Sequence, residues 1–153
     1  MSDQKHQIKV LNGLLETTID SVDGYAEAAK EAENPRFREL FLNRAAERRQ
    51  AVTLLRQAVR HEGGEPADDG TVLASAHRVF VDMRSSMSKG DKAVIEEVER
   101  GEDHIKAKYN DALKDDELSL SSREAIEQAY TSVRQGHDQM SALKHAIEAN
   151  GTR

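Results

Sequence analysis

Three residues with metal-binding side chains fall on the apolar faces of predicted helices, at a similar level along each helix. They are Glu47, Glu102 and His137. A carboxylate in a packing face is costly unless something pairs with it. Two carboxylates and an imidazole that face one interior point are typical of a site for a divalent ion. The pattern therefore gives these three residues as candidate metal ligands.

Cationic residues fall in the same faces and offer a second interpretation. Arg44 and Arg48 lie in the stripe of the second helix, and Arg134 lies on the last helix. Their guanidinium groups can neutralise Glu47 and Glu102 as buried ion pairs, and such a network needs no metal. A single inward histidine is also more often a hydrogen-bonded core residue than a ligand. The residues alone leave both interpretations open.

The elements that position these side chains are helices, because apolar residues recur at helical spacing over five segments. The predicted helices are 4–32, 36–62, 71–88, 91–114 and 121–149. The first carries a seam of alternating three- and four-residue steps, made of Ile8, Leu11, Leu15, Thr18, Val22, Tyr25 and Ala29. Asn34 and Asp91 are the expected N-caps of the helices that follow them, and Pro35 suits a first helical position.

The links between the long helices differ in length. The first and third links are short, whereas about 28 residues join the second long helix to the third and contain the short helix 71–88. Short links join antiparallel neighbours, and a long link can cross the full length of a bundle. The sequence thus predicts an all-α, ferritin-like four-helix bundle of two antiparallel hairpins, with a short helix in the crossover. Residues 1–153 form a single domain in this interpretation.

Composition limits the classes of function. Of the 153 residues, 33% are charged and none is cysteine, which excludes disulfides, thiolate metal sites and cysteine nucleophiles. The net charge of -6 argues against a nucleic-acid partner. No apolar run approaches the roughly 20 residues that span a bilayer, and the polar N-terminus is not a signal peptide. We expect a cytoplasmic protein without a membrane partner, and no residue pattern indicates a catalytic or cofactor-binding residue.

Several segments resemble known iron proteins. The segment "ERGEDHIKAKY" resembles the third-helix motif of rubrerythrins, and "LFLNRAAERRQA" resembles their second-helix Glu-x-x-His segment. The segment "LNGLLETTIDSVDGY" is similar to the first helix of bacterioferritins and rubrerythrins. Nearly the whole chain is similar to a bacterial ferritin-like four-helix-bundle family of unknown function. This closer similarity is carried by "LNGLLETTID", "FLNRAAERR", "GGEP" and "ERGEDH".

The resemblance implies an iron site, and the match at its ligand positions is partial. Glu47, Glu102 and His137 match three of the six ligand positions of a di-iron site. Thr18, which lies seven residues before Tyr25, and Arg134 stand where carboxylates are expected, and Gln50 replaces a histidine. An arginine inside such a cage would repel the metals and pair with the remaining carboxylates. The polar layer is therefore expected to combine the three candidate ligands with Arg44, Arg48, Arg134, Thr18 and Tyr25.

Two functions follow from these expectations. The first is a ferritin-like bundle that is non-catalytic or keeps a degenerate metal site, and that acts by self-association or partner binding in stress physiology. The alternative is a metal-binding oxidoreductase or iron-handling protein with a reduced carboxylate and histidine site, in which iron is the cofactor. Of the two, we favour a protein that is not an enzyme, because the replacements at the ligand positions leave too few bridging carboxylates for ferritin-type chemistry. The long amphipathic helices and the habits of similar families imply a homodimer.

Overall fold

The computed structural model describes residues 2–70 and 90–151 of the chain. These residues form four α-helices and no strand: α1 (Ser2–Glu31), α2 (Pro35–His61), α3 (Asp91–Leu113) and α4 (Leu120–Gly151). The four long helices predicted from the sequence are confirmed, with ends that differ by at most two residues. The predicted short helix 71–88 lies outside the described residues. None of the described helices is long and apolar enough to cross a membrane.

The turn between α1 and α2 is held by side chains at both of its edges. Asn34 caps α2, since its Oδ1 accepts a hydrogen bond from the backbone N–H of Arg36 at 2.9 Å, and Pro35 is the first helical residue. Asp91 is the first residue of α3 rather than its cap. Its carboxylate accepts hydrogen bonds from the backbone N–H groups of Glu33 at 2.7 Å and Asn34 at 2.9 Å. The start of α3 is thereby fastened to the α1–α2 turn.

Contacts at the opposite end fix the directions of the helices. His6, near the start of α1, contacts Asp115, which follows α3, at 2.5 Å. The buried Gln7 donates from Nε2 to the carbonyl of Glu117 at 2.8 Å and accepts from the backbone N–H of Ser119 at 3.0 Å. These bonds place the beginning of α1 beside the end of α3 and the beginning of α4. Helices α1 and α4 therefore run in one direction, and α2 and α3 run in the other.

The four helices pack as a bundle in which α1 lies against α2 and α3, and α4 lies against the same two helices. Each of these packed pairs is antiparallel. Helices α1 and α4 share a smaller contact and lie across a diagonal of the bundle. This arrangement gives the bundle a closed interior, to which every helix contributes one face.

The interior consists of two apolar clusters, one toward each end of the bundle. The cluster at the end where α1 begins contains Leu11, Leu14, Leu15, Val22, Ala51, Val52, Leu55, Val59, Ile105, Tyr109, Ile126, Ala129 and Val133. The cluster at the other end contains Tyr25, Ala28, Ala29, Ala32, Phe41, Ala45, Val94, Ile95, Val98 and Met140. Between them each helix has a gap of a few residues, and those gaps hold buried Arg48 and Glu102. A polar layer thus divides the core.

Candidate functional site

The polar layer is built on an ion pair between α2 and α3. Nη1 of Arg48 donates to Oε1 of Glu102 at 2.8 Å, and Nη2 donates to Oε2 at 2.8 Å. The side chains are 0% and 2% exposed, respectively. Two parallel charge-assisted bonds of this length are the strong, bidentate form of an arginine–carboxylate pair. Both oxygens of Glu102 are therefore engaged by the guanidinium group.

Helix α1 and helix α4 complete the surroundings of the pair. Nη1 of Arg48 also donates to Oγ of Ser21 at 2.6 Å, and Nη2 lies 3.4 Å from the carbonyl oxygen of Ser132. The ring of Tyr25 lies against the guanidinium, with its centre 5.5 Å from the Arg48 Cζ atom. Such a cation–π contact adds attraction where the charge is desolvated. All four helices thus contribute to the burial of one charged pair.

Gly136 on α4 makes the space that the pair occupies. A Cβ atom at this position would come closer than 3.0 Å to Nη2 of Arg48 and to Oε2 of Glu102, a separation that real Cβ atoms essentially never show. The same atom would lie 3.5 Å from the Tyr25 hydroxyl. Glycine in a helix interior costs about 1 kcal/mol relative to alanine. The close approach of α4 to the ion pair explains why the helix has a glycine at position 136.

The ionisation of these groups follows from burial and from their proximity to one another. Burial alone would lower the pKa of Arg48, but the hydrogen bonds and the negative charge of Glu102 outweigh it and raise that pKa. Burial, followed by the charge of Glu102, raises the pKa of Tyr25 well above its ordinary value. Arg48 is therefore permanently charged and Tyr25 permanently neutral at physiological pH.

Thr18 and Tyr109 form a second buried polar contact, between α1 and α3. Their hydroxyl oxygens are 2.7 Å apart, and Thr18 also donates to the carbonyl of Leu14 at 2.6 Å. Burial raises the pKa of Tyr109 to about 12, although the bond to Thr18 and the charge of Arg48 act in the opposite direction. Thr18 therefore has a structural partner in the core.

The other predicted members of the layer lie elsewhere. Glu47 pairs with Arg44 on its own helix, with Oε1 of Glu47 3.1 Å from Nη1 of Arg44. Nε of Arg44 also donates to Oε1 of Gln139 at 2.6 Å. Arg134 is exposed and lies over the ring of Tyr130. Of the three candidate arginines, Arg48 is therefore the one that meets Glu102.

His137 faces the seam between α3 and α4 on the outside of the bundle. Its Nε2 lies 2.7 Å from Oδ1 of Asp103, and its Nδ1 lies 3.3 Å from Oδ1 of Asp138. Among the described residues, two groups of three have ligand atoms within 4.8 Å of one another: His6, Asp115 and Glu117, and Glu99, Asp103 and His137. The structure does not bring Glu47, Glu102 and His137 together as such a group.

Comparison with known proteins places the chain in a family. A protein-family model described as "Domain of unknown function (DUF2383)" matches residues 6–115. The chain belongs to the DUF2383 family. The DUF2383 match includes Arg48 and Glu102, whereas α4, with Gly136 and His137, lies beyond it. No curated protein matches the chain.

Two features of this DUF2383 member were not predicted from its sequence. Gly136 was missed, although a glycine beside the inward-facing residues of a long helix is itself a signal of close packing. Glu99 and Asp103 were also missed as neighbours of His137. Their spacing of four residues places both carboxylates on one side of α3, and this spacing was the available signal. The helix that would face that side could not be read from the spacing alone.

Proposed function

We propose that this chain is a ferritin-like four-helix-bundle protein that is non-catalytic and acts by self-association or by binding a partner. The ferritin-like topology is supported by the directions and neighbours of the helices. Helices α2 and α3 run in the same direction and begin at the same end of the bundle, where Asp91 of α3 contacts Asn34 beside α2. Two antiparallel hairpins whose second and third helices run in the same direction are the arrangement of ferritin-like folds with one long crossover.

The proposal of a non-catalytic bundle rests on one observation, the bidentate pair of Arg48 and Glu102. A ferritin-type iron centre needs several free carboxylates that bridge two metals. Here Arg48 engages both oxygens of the buried carboxylate, Glu47 forms an ion pair with Arg44, and His137 contacts Asp103. The donor set at the centre of the bundle therefore does not fit a di-iron site, and a fixed cation stands beside the remaining ligand.

Iron oxidation by the purified chain tests this proposal. We expect ferrous iron with oxygen to be oxidised no faster in the presence of the protein than in buffer. The assay is best run on His137→Ala, because this variant removes the histidine at the α3–α4 seam and leaves the buried pair intact. Protein-dependent oxidation that is retained in His137→Ala and lost in Glu102→Ala would refute the proposal. That outcome would restore the alternative, an iron-handling oxidoreductase that uses the bundle core.

Self-association as a homodimer is the second part of the proposal. It is supported by the exposed large apolar side chain of Leu42 on α2. The sequence adds an apolar stripe of Phe80, Met83 and Met87, which lies outside the described residues. Light scattering over the micromolar range is expected to give twice the mass of one chain, 17.0 kDa. A monomer mass at every concentration would remove the dimer and leave partner binding as the mode of action. Cytoplasmic location and a role in stress physiology remain part of the same proposal.

A further inference from the structure

Glu99, Asp103 and His137 form a group of metal-ligand side chains on the outside of the α3–α4 seam. Each offers one ligand atom, and the three atoms lie within 4.8 Å of one another. Glu99 and Asp103 lie one turn apart on α3, and His137 reaches them from α4. None of these contacts involves the buried Arg48–Glu102 pair, although Asp103 and His137 directly follow Glu102 and Gly136 in the sequence.

The group is partly sunk into the surface and open on one side. The side chains of Glu99 and His137 are 13% and 18% exposed, whereas that of Asp103 is 57% exposed. Two of the three ligands are thus held between packed helices, which restrict their movement. The third is free to adjust its position. A site built on helices holds its geometry better than one built on loops.

We propose that Glu99, Asp103 and His137 bind one divalent transition-metal ion of the zinc class at this seam. An imidazole and two carboxylates suit Zn²⁺ and its first-row neighbours, whereas Mg²⁺ and Ca²⁺ prefer sites made of oxygen ligands alone. Three protein ligands leave a fourth position for water, as in open tetrahedral zinc sites. Metal–ligand bonds of about 2.0–2.1 Å separate tetrahedral ligand atoms by about 3.3 Å. His137 Nε2 and Asp103 Oδ1, now 2.7 Å apart, need to open by about 0.6 Å.

A carboxylate behind the histidine supports the assignment. Oδ1 of Asp138 lies 3.3 Å from Nδ1 of His137. Metal-binding histidines almost always donate their second ring N–H to a carboxylate, a carbonyl or water, which fixes the tautomer and turns the other nitrogen toward the metal. In this arrangement Nδ1–H faces Asp138, and Nε2 faces the carboxylates of α3.

Lys144 competes with the metal for Glu99. Its Nζ lies 3.5 Å from Oε1 of Glu99. A bound cation would have to displace this ammonium group, so Lys144 weakens binding through charge repulsion and through the ion pair that must break. This competition provides a test of where the metal binds. Replacement of Lys144, which is not a ligand, should strengthen binding at this site, whereas binding at an unrelated site should not change.

The other group, His6, Asp115 and Glu117, is a weaker candidate. Oδ1 of Asp115 already accepts a hydrogen bond from the backbone N–H of Glu117 at 2.8 Å, and Oδ2 contacts His6 at 2.5 Å. The Glu117 side chain is mostly exposed. Asp115 therefore has a structural role in the turn between α3 and α4, and His6 provides a control for zinc that binds elsewhere.

Calorimetric titration of the tag-free, chelator-treated chain with zinc chloride tests the proposal. We expect one zinc ion per chain, with affinity reduced at least about tenfold in His137→Ala and in Asp103→Asn, and increased severalfold in Lys144→Gln. His104→Ala is the matched control, because it removes an exposed histidine from the same turn of α3 as Asp103. His104→Ala and His6→Ala should each bind as the wild type does. Far-UV circular dichroism establishes that each variant is folded.

Two results would overturn the assignment. The first is no heat of zinc binding by the wild type at micromolar concentrations. The second is binding that His137→Ala leaves unchanged. If that binding is lost in His6→Ala, the metal belongs to the group of His6, Asp115 and Glu117. Glu47→Gln should bind zinc normally, and a loss there would instead point to a site that includes the second helix.

Discussion

Gly136 of α4 lies against the guanidinium of Arg48, so closely that a Cβ atom at this position would overlap Nη2. Both partners are buried, and the contact closes one side of the Arg48–Glu102 pair. The backbone of α4 thus occupies the space beside the Arg48 guanidinium that water would otherwise fill. Because the obstacle is a paired and packed guanidinium rather than the loose end of a surface side chain, this position cannot accept a methyl group cheaply.

Gly136→Ala should therefore destabilise the protein, although alanine is the better helix former. The expected loss is about 1–3 kcal/mol, the usual cost of overpacking a core, as measured by urea unfolding. Gly101→Ala on α3 is the matched control, since beyond its chain neighbours and the surrounding backbone of its own helix no atom lies within 4 Å of a Cβ built there. The control should be stabilised by about 0.5–1 kcal/mol through helix propensity. Equal stabilisation of both variants would show that Gly136 is not in tight contact with the pair.

Glu102→Gln should leave the charge of Arg48 buried and unpaired. Loss of one partner of a buried ion pair costs about 3–5 kcal/mol, and we expect a change in the free energy of unfolding in this range. Glu47→Gln provides the control, because the Glu47–Arg44 pair is partly exposed and such pairs contribute about 0–1 kcal/mol. Replacement of both partners, in Arg48→Met with Glu102→Leu, should recover most of the lost stability. A double variant as unstable as the sum of its single changes would argue against direct pairing.

Alkaline pH should destabilise the fold through Tyr109. The pKa of this residue is about 12 in the folded protein, above the ordinary value of 10. Between these values the folded state binds more protons than the unfolded state, so stability falls as pH rises, by about 3 kcal/mol in total. The raised pKa of Tyr25 acts in the same direction. Unfolding free energies measured from about pH 9 to about pH 11 should fall less steeply in Tyr109→Phe than in the wild type. Identical slopes would contradict the raised pKa of Tyr109.

Asp91→Ala should loosen the turn between α1 and α2. The change removes the acceptor for the backbone N–H groups of Glu33 and Asn34, and loss of a capping side chain costs about 0.5–2 kcal/mol. Hydrogen exchange should accelerate at these two amides before it does so in the helices. Asp111→Ala, which removes an exposed carboxylate from the last turns of α3, should leave the exchange of both amides unchanged.

Much of the fold could be predicted from sequence because the buried residues of a helix recur at regular spacing along the chain. The seam from Leu11 to Ala29 on α1 is buried as expected, and Asn34 begins α2 as its chemistry predicts. Glu102 could be identified for the same reason, since a carboxylate within an apolar stripe needs a partner. Asp91 shows the limit of such local reasoning, because its carboxylate caps a turn that lies 57 residues away in the chain.

The candidate site was harder to predict because its members lie at the edges of their stripes. A turn of about 100° per residue gives the direction of His137 only approximately, and a modest rotation moves it from the core to the α3 seam. Glu47 is likewise adjacent to the buried Arg48, and it turns to Arg44 on its own helix instead. Gly136 has no side chain to mark a face. Sequence periodicity thus indicated Arg48 and Glu102 as members of a polar layer, but not their contact with Gly136 of α4.

The division of the core into two apolar clusters limits how the helices can slide past one another. A shift of α3 by one turn, about 5.4 Å, would carry Glu102 toward the level now held by Val98 or Ile105. At either level the carboxylate would lie within one of the two apolar clusters. Arg48 would then remain on α2 without an anion to meet it. Apolar side chains alone tolerate such slips, since one leucine or valine can replace another. Here each slipped alignment would bury two separated charges, so the chain has one low-energy alignment rather than several of similar energy.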